Sequence, residues 1–202
     1  MRRLELARSP NLAFLLREPE AGANSPDITL PAYHIRRDIE DTILRASDEV
    51  PLSLIRGRRF SGRTLLLRSI AFASKAREIY FIDSNTRVSE EVLDQLLQSG
   101  NSLLLFDTNS LTTDTAMSLA RQLGKLDQRG SSAIVAVNRT EPDVVGALVR
   151  HVDDRTDFEL DPRLSRHECA ELNRRLDAIG LLRFDCRRTL LDNTFVVLEQ
   201  SP

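Results

Sequence analysis

Five short apolar segments alternate with longer amphipathic segments, and this alternation limits the fold more than any other feature of the chain. The strand candidates are 51–57, 78–84, 101–108, 131–138 and 156–160. They are mostly apolar throughout rather than alternating in polarity, which is typical of parallel strands buried on both faces. We therefore predict an α/β fold with a parallel sheet of about five strands flanked by helices.

The amphipathic segments carry helix signals at their ends. Gly100 and Gly130 follow two of them, where glycine commonly ends a helix, and Pro142 stands where proline commonly begins one. Helices are predicted over 63–75, 88–99, 113–128 and 142–151.

The two ends of the chain differ from this alternating part. Residues 1–32 contain four prolines, which favours a short helix near 4–17 followed by a linker. At the other end, Ser165 is followed three residues later by Glu168, a capping-box pattern that begins a helix ending at Gly180. We predict an N-terminal helix and linker over 1–32, an α/β core over 33–161, and a helical lid or the start of a winged-helix subdomain over 162–202.

Charge and composition limit the cellular compartments and the binding partners that we expect. The net charge is -2, so no global basic field attracts nucleic acid or anionic lipid, and nucleic acid is not an expected partner. Apolar runs such as 103–106 are far shorter than the roughly 20 residues that span a bilayer, and the N-terminus has no signal-peptide core. We expect a cytoplasmic chain without a membrane segment, in which Cys169 and Cys186 are structural and reduced.

The stretch GRRFSGRT has the spacing of a phosphate-binding loop with one substitution, an arginine where lysine is expected. It lies between a predicted strand and a predicted helix, whose free N–H groups and dipole favour phosphate. The alternative is an ordinary strand-to-helix turn that uses two glycines. The residues predicted to bind phosphate are Gly57, Arg58, Arg59, Phe60, Ser61, Gly62, Arg63 and Thr64.

Polar residues also follow other predicted strands, at the edge where open α/β sheets place their ligands. Asp107 ends the third strand, and we predict that it binds Mg²⁺ together with Thr64. Asp83, after the second strand, is the alternative acid. Asn138 and Arg139 follow the fourth strand, where they would contact the γ-phosphate or orient a water. The plain alternatives are a turn or capping aspartate and a solvated loop.

In their order along the chain, these motifs resemble the nucleotide-binding core of STAND-type P-loop NTPases, which are relatives of the AAA+ group. The resemblance covers residues 33 to about 180. The segments that carry it are YHIRRDIEDTIL, IRGRRFSGRTLLLR, LLLFDT, AIVAVNRTE and FELDPRLSRHECAELNRRL.

This resemblance implies a P-loop NTPase-like fold that binds ATP or ADP with Mg²⁺. Asp107 would hold the metal, and Asn138 or Arg139 would act as sensor at the catalytic end. The stretch implied near the adenine and ribose is 33–37, with Tyr33, Ile35 and Arg36 as its binding residues.

The chain departs from the family in two places that bear on chemistry. Arg63 replaces the loop lysine, which makes the motif a degenerate Walker A motif, and Thr108 stands where hydrolytic relatives carry an acid. We therefore predict a nucleotide-binding switch module of a signalling or antiviral defence protein, with at most weak ATPase activity and with protein partners or a second copy of itself. The alternative is a pseudo-NTPase scaffold that assembles proteins without nucleotide.

Overall fold

The computed structural model describes residues 30–31, 33–74, 78–83, 86, 88–98, 100–124, 130–138 and 140–200. The helix predicted near 4–17 lies outside these residues. The elements in chain order are α1 (Glu40–Glu49), β1 (Leu52–Gly57), α2 (Arg63–Ala73), β2 (Glu78–Ile82), α3 (Glu90–Gln98), β3 (Ser102–Phe106), α4 (Thr113–Leu123), β4 (Ser132–Asn138), α5 (Pro142–Val149), β5 (Arg155–Leu160), α6 (Arg166–Ala178) and α7 (Leu190–Gln200).

The five strands form one parallel sheet in the order β2-β3-β4-β1-β5. The first strand therefore lies inside the sheet, with Leu52 opposite both Ala133 of β4 and Arg155 of β5. Because all the strands are parallel, their carboxyl ends lie at one edge. The predicted α/β fold is confirmed, and the arrangement is that of a P-loop NTPase-like sheet.

Helices cover both faces of this sheet. Leu54 faces one side and Ile55 the other, and both side chains are fully buried. On the first side the strands pack against α3, α4 and α5, and on the second side they pack against α1 and α2. Burial of one such side chain stabilises the fold by about 1.5–3 kcal/mol, so this double cover explains why the inner strands β3 and β4 are mostly apolar.

After the sheet, the chain forms two further helices and a connecting segment, which we call the C-terminal helices (166–200). The predicted capping box is present: Ser165 Oγ accepts from the Glu168 backbone N–H, and the Glu168 side chain accepts from the Ser165 N–H. A third apolar cluster joins these helices to the segment before α1. Its buried members are Tyr33, Ile35, Cys169, Leu172, Leu176 and Phe184.

The prediction that both cysteines are reduced is wrong, because the structure joins Cys169 and Cys186 in a disulfide. The chain turns back after α6, where Gly180 has a φ of 74°. Asn173 then binds both the N–H and the C=O of Phe184, at 2.7 and 2.9 Å. This return brings the two cysteine Cα atoms to 5.6 Å. Sequence spacing alone carries no information about a pair formed in this way.

The element boundaries differ from prediction in a few places. Helix α4 ends at Leu123, whereas the pattern predicts residue 128. A Cβ on Gly124 would lie 2.8 Å from the backbone oxygen of His151, so the end of α4 approaches the segment after α5 very closely. Helix α1 was not predicted as a helix. Within the described residues, no helix has both the length and the apolar character needed to cross a membrane.

Candidate functional site

The segment from Gly57 to Thr64 forms the turn between β1 and α2 at the carboxyl edge of the sheet. Phe60 and Gly62 both have left-handed backbones, with φ of 62° and 87°. Left-handed residues in a turn favour an anion-binding nest, in which N–H groups point into one concavity. The Ser61 N–H is already used within the loop, because it donates to the Arg58 oxygen at 3.2 Å. The left-handed conformation costs a non-glycine residue about 1–2 kcal/mol, so the surroundings of Phe60 must impose it.

Close packing explains one loop glycine, and backbone conformation explains the other. A Cβ on Gly57 would lie 2.7 Å from Ser61 Oγ and 3.2 Å from the backbone oxygen of Leu160, so no side chain fits there. Gly62 is required by its positive φ. Ser61 is itself buried, and its hydroxyl has no hydrogen-bond partner among the described residues. A buried hydroxyl without a partner costs about 1–3 kcal/mol, and an anion in the loop would satisfy it.

The side chain of Arg63 is buried and lies across the ends of β1 and β4. Its Nη1 donates to the backbone oxygen of Gly57 at 2.9 Å and to that of Val137, and its Nη2 donates to Asn138 Oδ1. The guanidinium fork is therefore already occupied by acceptors of the protein.

The charge of Arg63 is balanced by acids at neighbouring strand ends. Burial lowers the pKa of the guanidinium, and the negative charges of Asp107, Glu141 and Glu159 oppose this effect. Arginine retains its proton under such conditions. The charge of Arg63 therefore lies among three carboxylates at the strand ends.

The structure brings together the two residues predicted to hold a metal ion. Thr64 Oγ1 donates to Asp107 Oδ1 at 3.0 Å, and the Thr108 N–H donates to the same oxygen at 2.8 Å. Asp107 is buried, and its own N–H donates to the Ile82 oxygen of the neighbouring strand at 2.9 Å. A hydroxyl and a carboxylate are the hard oxygen ligands that Mg²⁺ prefers.

No group of three or more His, Cys, Asp or Glu suited to a metal ion occurs in the part of the chain that the structure describes. A site built on Thr64 and Asp107 would therefore have few protein ligands. This suits Mg²⁺, which keeps several waters and commonly binds through one or two carboxylates plus phosphate oxygens.

Asn138 lies at the end of β4 and is held on two sides. Its N–H and its Nδ2 donate to the Glu141 carboxylate at 3.0 and 3.2 Å, while its Oδ1 accepts from Arg63. Glu141 was not predicted as a site residue. The available signal was an acid three residues after the polar strand end and directly before Pro142. Arg139 lies outside the described residues.

An apolar cavity adjoins the loop, between the segment before α1, the start of α2 and the C-terminal helices. Its volume is about 70 Å³. The Tyr33 hydroxyl is buried without a hydrogen-bond partner among the described residues, and burial raises its pKa. The side chains that give the cavity its apolar character include Tyr33, Ile35, Leu65, Leu172, Phe184 and Leu190.

Two neighbouring arginines differ in what they contact. Arg36 is half exposed and pairs with Glu40 and Asp41 of α1. Arg37 is the residue that reaches the loop, where its Nη1 donates to the Ser61 oxygen at 3.3 Å. The structure thus places Tyr33 and Ile35 at the cavity and turns Arg36 toward α1.

The remaining predicted residues lie at the rim or away from the loop. Arg58, Arg59 and Phe60 form the exposed tip of the loop, where the Arg59 guanidinium carbon lies 5.1 Å from the centre of the Phe60 ring. Asp83 follows the edge strand β2 and accepts from Thr86 Oγ1 at 2.7 Å. In the sheet order, β3 and β4 separate that strand from β1.

The parallel sheet and the loop at its carboxyl edge define an α/β fold of the P-loop NTPase-like class. No protein-family model matches the chain, and no curated protein matches it.

The solved structures to which the chain is similar include RuvB from Thermotoga maritima. The TM-score is 0.48 at 16% identity with one RuvB mutant and 0.49 at 17% with another. A third structure is described as the RuvB Holliday junction branch migration motor. Its TM-score with this chain is 0.48, at 17% sequence identity. Each similarity covers 70% of this chain and 49% or 50% of the other, so the chain spans about half the length of these structures.

Proposed function

We propose that this chain is the nucleotide-binding switch module of a STAND-like signalling or defence protein. In this proposal it binds ATP or ADP with Mg²⁺ and hydrolyses ATP weakly or not at all. The observation that carries the proposal is the 3.0 Å contact between Thr64 and Asp107 directly beside the nest. Loop and acid come from different parts of the chain, and a simple turn would not need both.

The loop from Gly57 to Thr64 would hold the phosphates. Its N–H groups and the amino end of α2 supply partial positive charge, and the Ser61 hydroxyl supplies a donor that lacks a partner among the described residues. Thr64 and Asp107 would hold Mg²⁺, which when bound neutralises charge on the phosphate oxygens. These contacts do not depend on a loop lysine, so phosphate binding is compatible with Arg63.

The apolar cavity would receive the base and ribose, with Tyr33 and Ile35 in its wall. Its volume of about 70 Å³ is well below the roughly 300–1,000 Å³ of typical ligand pockets. A nucleoside therefore fits only if the side chains of the cavity wall rearrange. Because Leu172 and Leu190 of this wall belong to the C-terminal helices, nucleotide binding and the packing of these helices are then linked, which is what a switch requires.

Weak hydrolysis follows from the groups around the phosphate position. To reach phosphate oxygens, Arg63 would have to leave its bonds to Gly57, Val137 and Asn138. Residue 108 is a threonine and supplies no carboxylate to polarise water. A positioned acid or base contributes about 10²- to 10⁴-fold to proton transfer, so its absence alone lowers turnover strongly.

We further propose that residues 33–161 form the nucleotide-binding core and residues 162–202 its lid, after the N-terminal helix and linker over 1–32. The partners in this proposal are proteins or a second copy of the chain.

The second candidate function is a pseudo-NTPase scaffold that binds partners without nucleotide. One observation favours it: the Arg63 guanidinium is already satisfied by protein acceptors, so the loop keeps its shape without a ligand.

Calorimetry and thermal unfolding with Mg-ADP and Mg-ATP test the proposal. A ligand at 100 times its Kd stabilises the folded state by about 2.7 kcal/mol, so both nucleotides are expected to raise the melting temperature. Asp107→Asn should weaken this effect, and Asp83→Asn, a matched strand-end aspartate, should leave it unchanged. No response to either nucleotide at millimolar concentration would favour the scaffold. Rapid phosphate release that Asp107→Ala abolishes would contradict weak hydrolysis.

A further inference from the structure

Arg37 connects three parts of the molecule through one guanidinium. Its Nη1 donates to the loop oxygen of Ser61 at 3.3 Å, and its Nε donates to Glu168 Oε1 of α6 at 2.9 Å. Its Nη2 donates to the backbone oxygens of Asp161 and Arg163, between β5 and α6, at 3.2 and 3.4 Å. The side chain is only 10% exposed, so water does not replace these contacts easily.

Glu168 is fixed to the amino end of α6. Its Oε2 accepts from the Ser165 N–H at 2.8 Å, and its Oε1 accepts from Arg37 and from the Asp38 N–H at 2.7 Å. The side chain is 4% exposed. Glu168 belongs to the first turn of α6, whereas Arg37 and Asp38 belong to the segment before α1. A shift of α6 must therefore move or break the Arg37–Glu168 pair.

On the loop side, Arg37 determines the orientation of one peptide plane. In a trans peptide, the C=O and the following N–H point in opposite directions. By holding the Ser61 oxygen, Arg37 directs the Gly62 N–H to the other side of that peptide. Gly62 is one of the two left-handed residues of the nest, so this N–H belongs to the group that would face an anion.

We propose that Arg37 is a positioning residue that couples the C-terminal helices to the phosphate loop. It holds the Ser61–Gly62 peptide in its binding orientation while α6 keeps Glu168 against it. The position of α6 thus sets the affinity for phosphate, and a bound nucleotide in turn holds α6, because such coupling is reciprocal. This inference rests on the proposed function.

A second arginine provides a control. Arg45 of α1 carries the same charge, but it is exposed, and its Nε donates to the backbone oxygen of Asp41 on the same helix at 3.4 Å. Arg37→Lys keeps the charge but cannot bridge oxygens on three segments at once. Glu168→Gln keeps an acceptor for the capping box while it removes the charge.

The test measures the Kd of the full chain for Mg-ADP and for Mg-pyrophosphate, a probe with phosphates alone. Arg37→Lys and Glu168→Gln are each expected to weaken binding of both ligands by about tenfold, and Arg45→Lys is expected to leave it unchanged. The double variant should be no weaker than either single variant, since the two residues act as one unit. Amides of α6 should be protected from hydrogen exchange by saturating ADP in the unmodified chain and not in Arg37→Lys.

The outcomes separate the two proposals. ADP binding by the unmodified chain, together with unchanged binding by Arg37→Lys or additive losses in the double variant, would overturn the coupling alone. Absence of ADP binding by the unmodified chain would overturn the proposed function and the coupling with it. If the Arg37→Lys variant fails to fold, the Glu168→Gln variant alone tests the coupling, and the same losses in binding are expected of it.

Discussion

Arg63 binds more acceptors than a lysine in its place would. Its fork joins the ends of β1 and β4 through Gly57, Val137 and Asn138. An ammonium group is compact and has no fork, so it cannot keep all three bonds in this geometry.

We therefore expect Arg63→Lys to lower the free energy of unfolding by about 1–3 kcal/mol, because a buried acceptor loses its donor. The same change should tighten ATP binding, because an ammonium can reach the β and γ oxygens, with little gain in hydrolysis. Addition of Thr108→Glu should raise turnover far more than either change alone. Urea unfolding, calorimetry and phosphate release measure the three effects. Weaker ATP binding by Arg63→Lys would contradict the prediction.

We expect the folding stability to depend on pH because of His34. Burial, and secondarily the charge of Arg175, lowers its pKa to about 4 from 6.5. Between these two pH values, the unfolded chain binds a proton at His34 that the folded chain does not. The contribution of neutral His34 to folding stability is therefore complete above pH 6.5 and is lost as the pH falls toward 4. The loss amounts to about 3 kcal/mol.

His34→Gln should remove this dependence, and the exposed His151→Gln should not. Glu40, whose pKa is raised chiefly by burial, acts with the opposite sign. The quantity to compare is therefore the difference in unfolding free energy between the unmodified chain and each variant, at pH 4.5 and pH 7.

Some site residues could be predicted because they belong to local motifs. Thr64 and Asp107 each end a recognisable pattern, and parallel strands bring such ends to one edge. Arg37 and Glu168 could not be predicted as partners, since 131 positions separate them and only the folded chain brings them together. The outward direction of Arg36 is likewise decided by its contacts with α1.

At the level of elements, the inner strands β3 and β4 could be predicted well because burial on both faces leaves a nearly continuous apolar signal. Helix ends were less predictable. Helix α4 ends early where Gly124 lies close to His151, in the segment after α5. Neither the composition nor the periodicity of the helix indicates that contact.

The disulfide joins α6 to the segment before α7, and we expect it to stabilise the C-terminal helices. The cysteines are 17 positions apart, and closing a loop of about this length contributes about 3 kcal/mol in the chain-entropy model. Cys186→Ser, at the exposed cysteine, should lower the free energy of unfolding by about that amount. Reductant should have the same effect on the unmodified chain and none on the variant. Equal stability of the two chains without reductant would contradict the prediction.

At the scale of the whole molecule, the two flanks of the sheet meet at the candidate site. The segment around Tyr33 precedes the first helix, and Leu172 and Phe184 come after the last strand, yet all three belong to one buried cluster. The cavity beside the loop therefore exists only when both flanks are in place. This is why the sequence predicts the phosphate loop but not the cavity beside it.

The inner position of β1 has a consequence for synthesis of the chain. β1 ends at Gly57, but its neighbour β5 begins only at Arg155. At about 5–20 residues per second, a ribosome needs roughly 5–20 seconds to make the intervening chain. During that time, the backbone N–H and C=O groups on one edge of β1 lack the partners that β5 later supplies. The nascent chain is therefore most prone to mispairing and aggregation in this interval, and a chain cut short before β5 would keep that edge open.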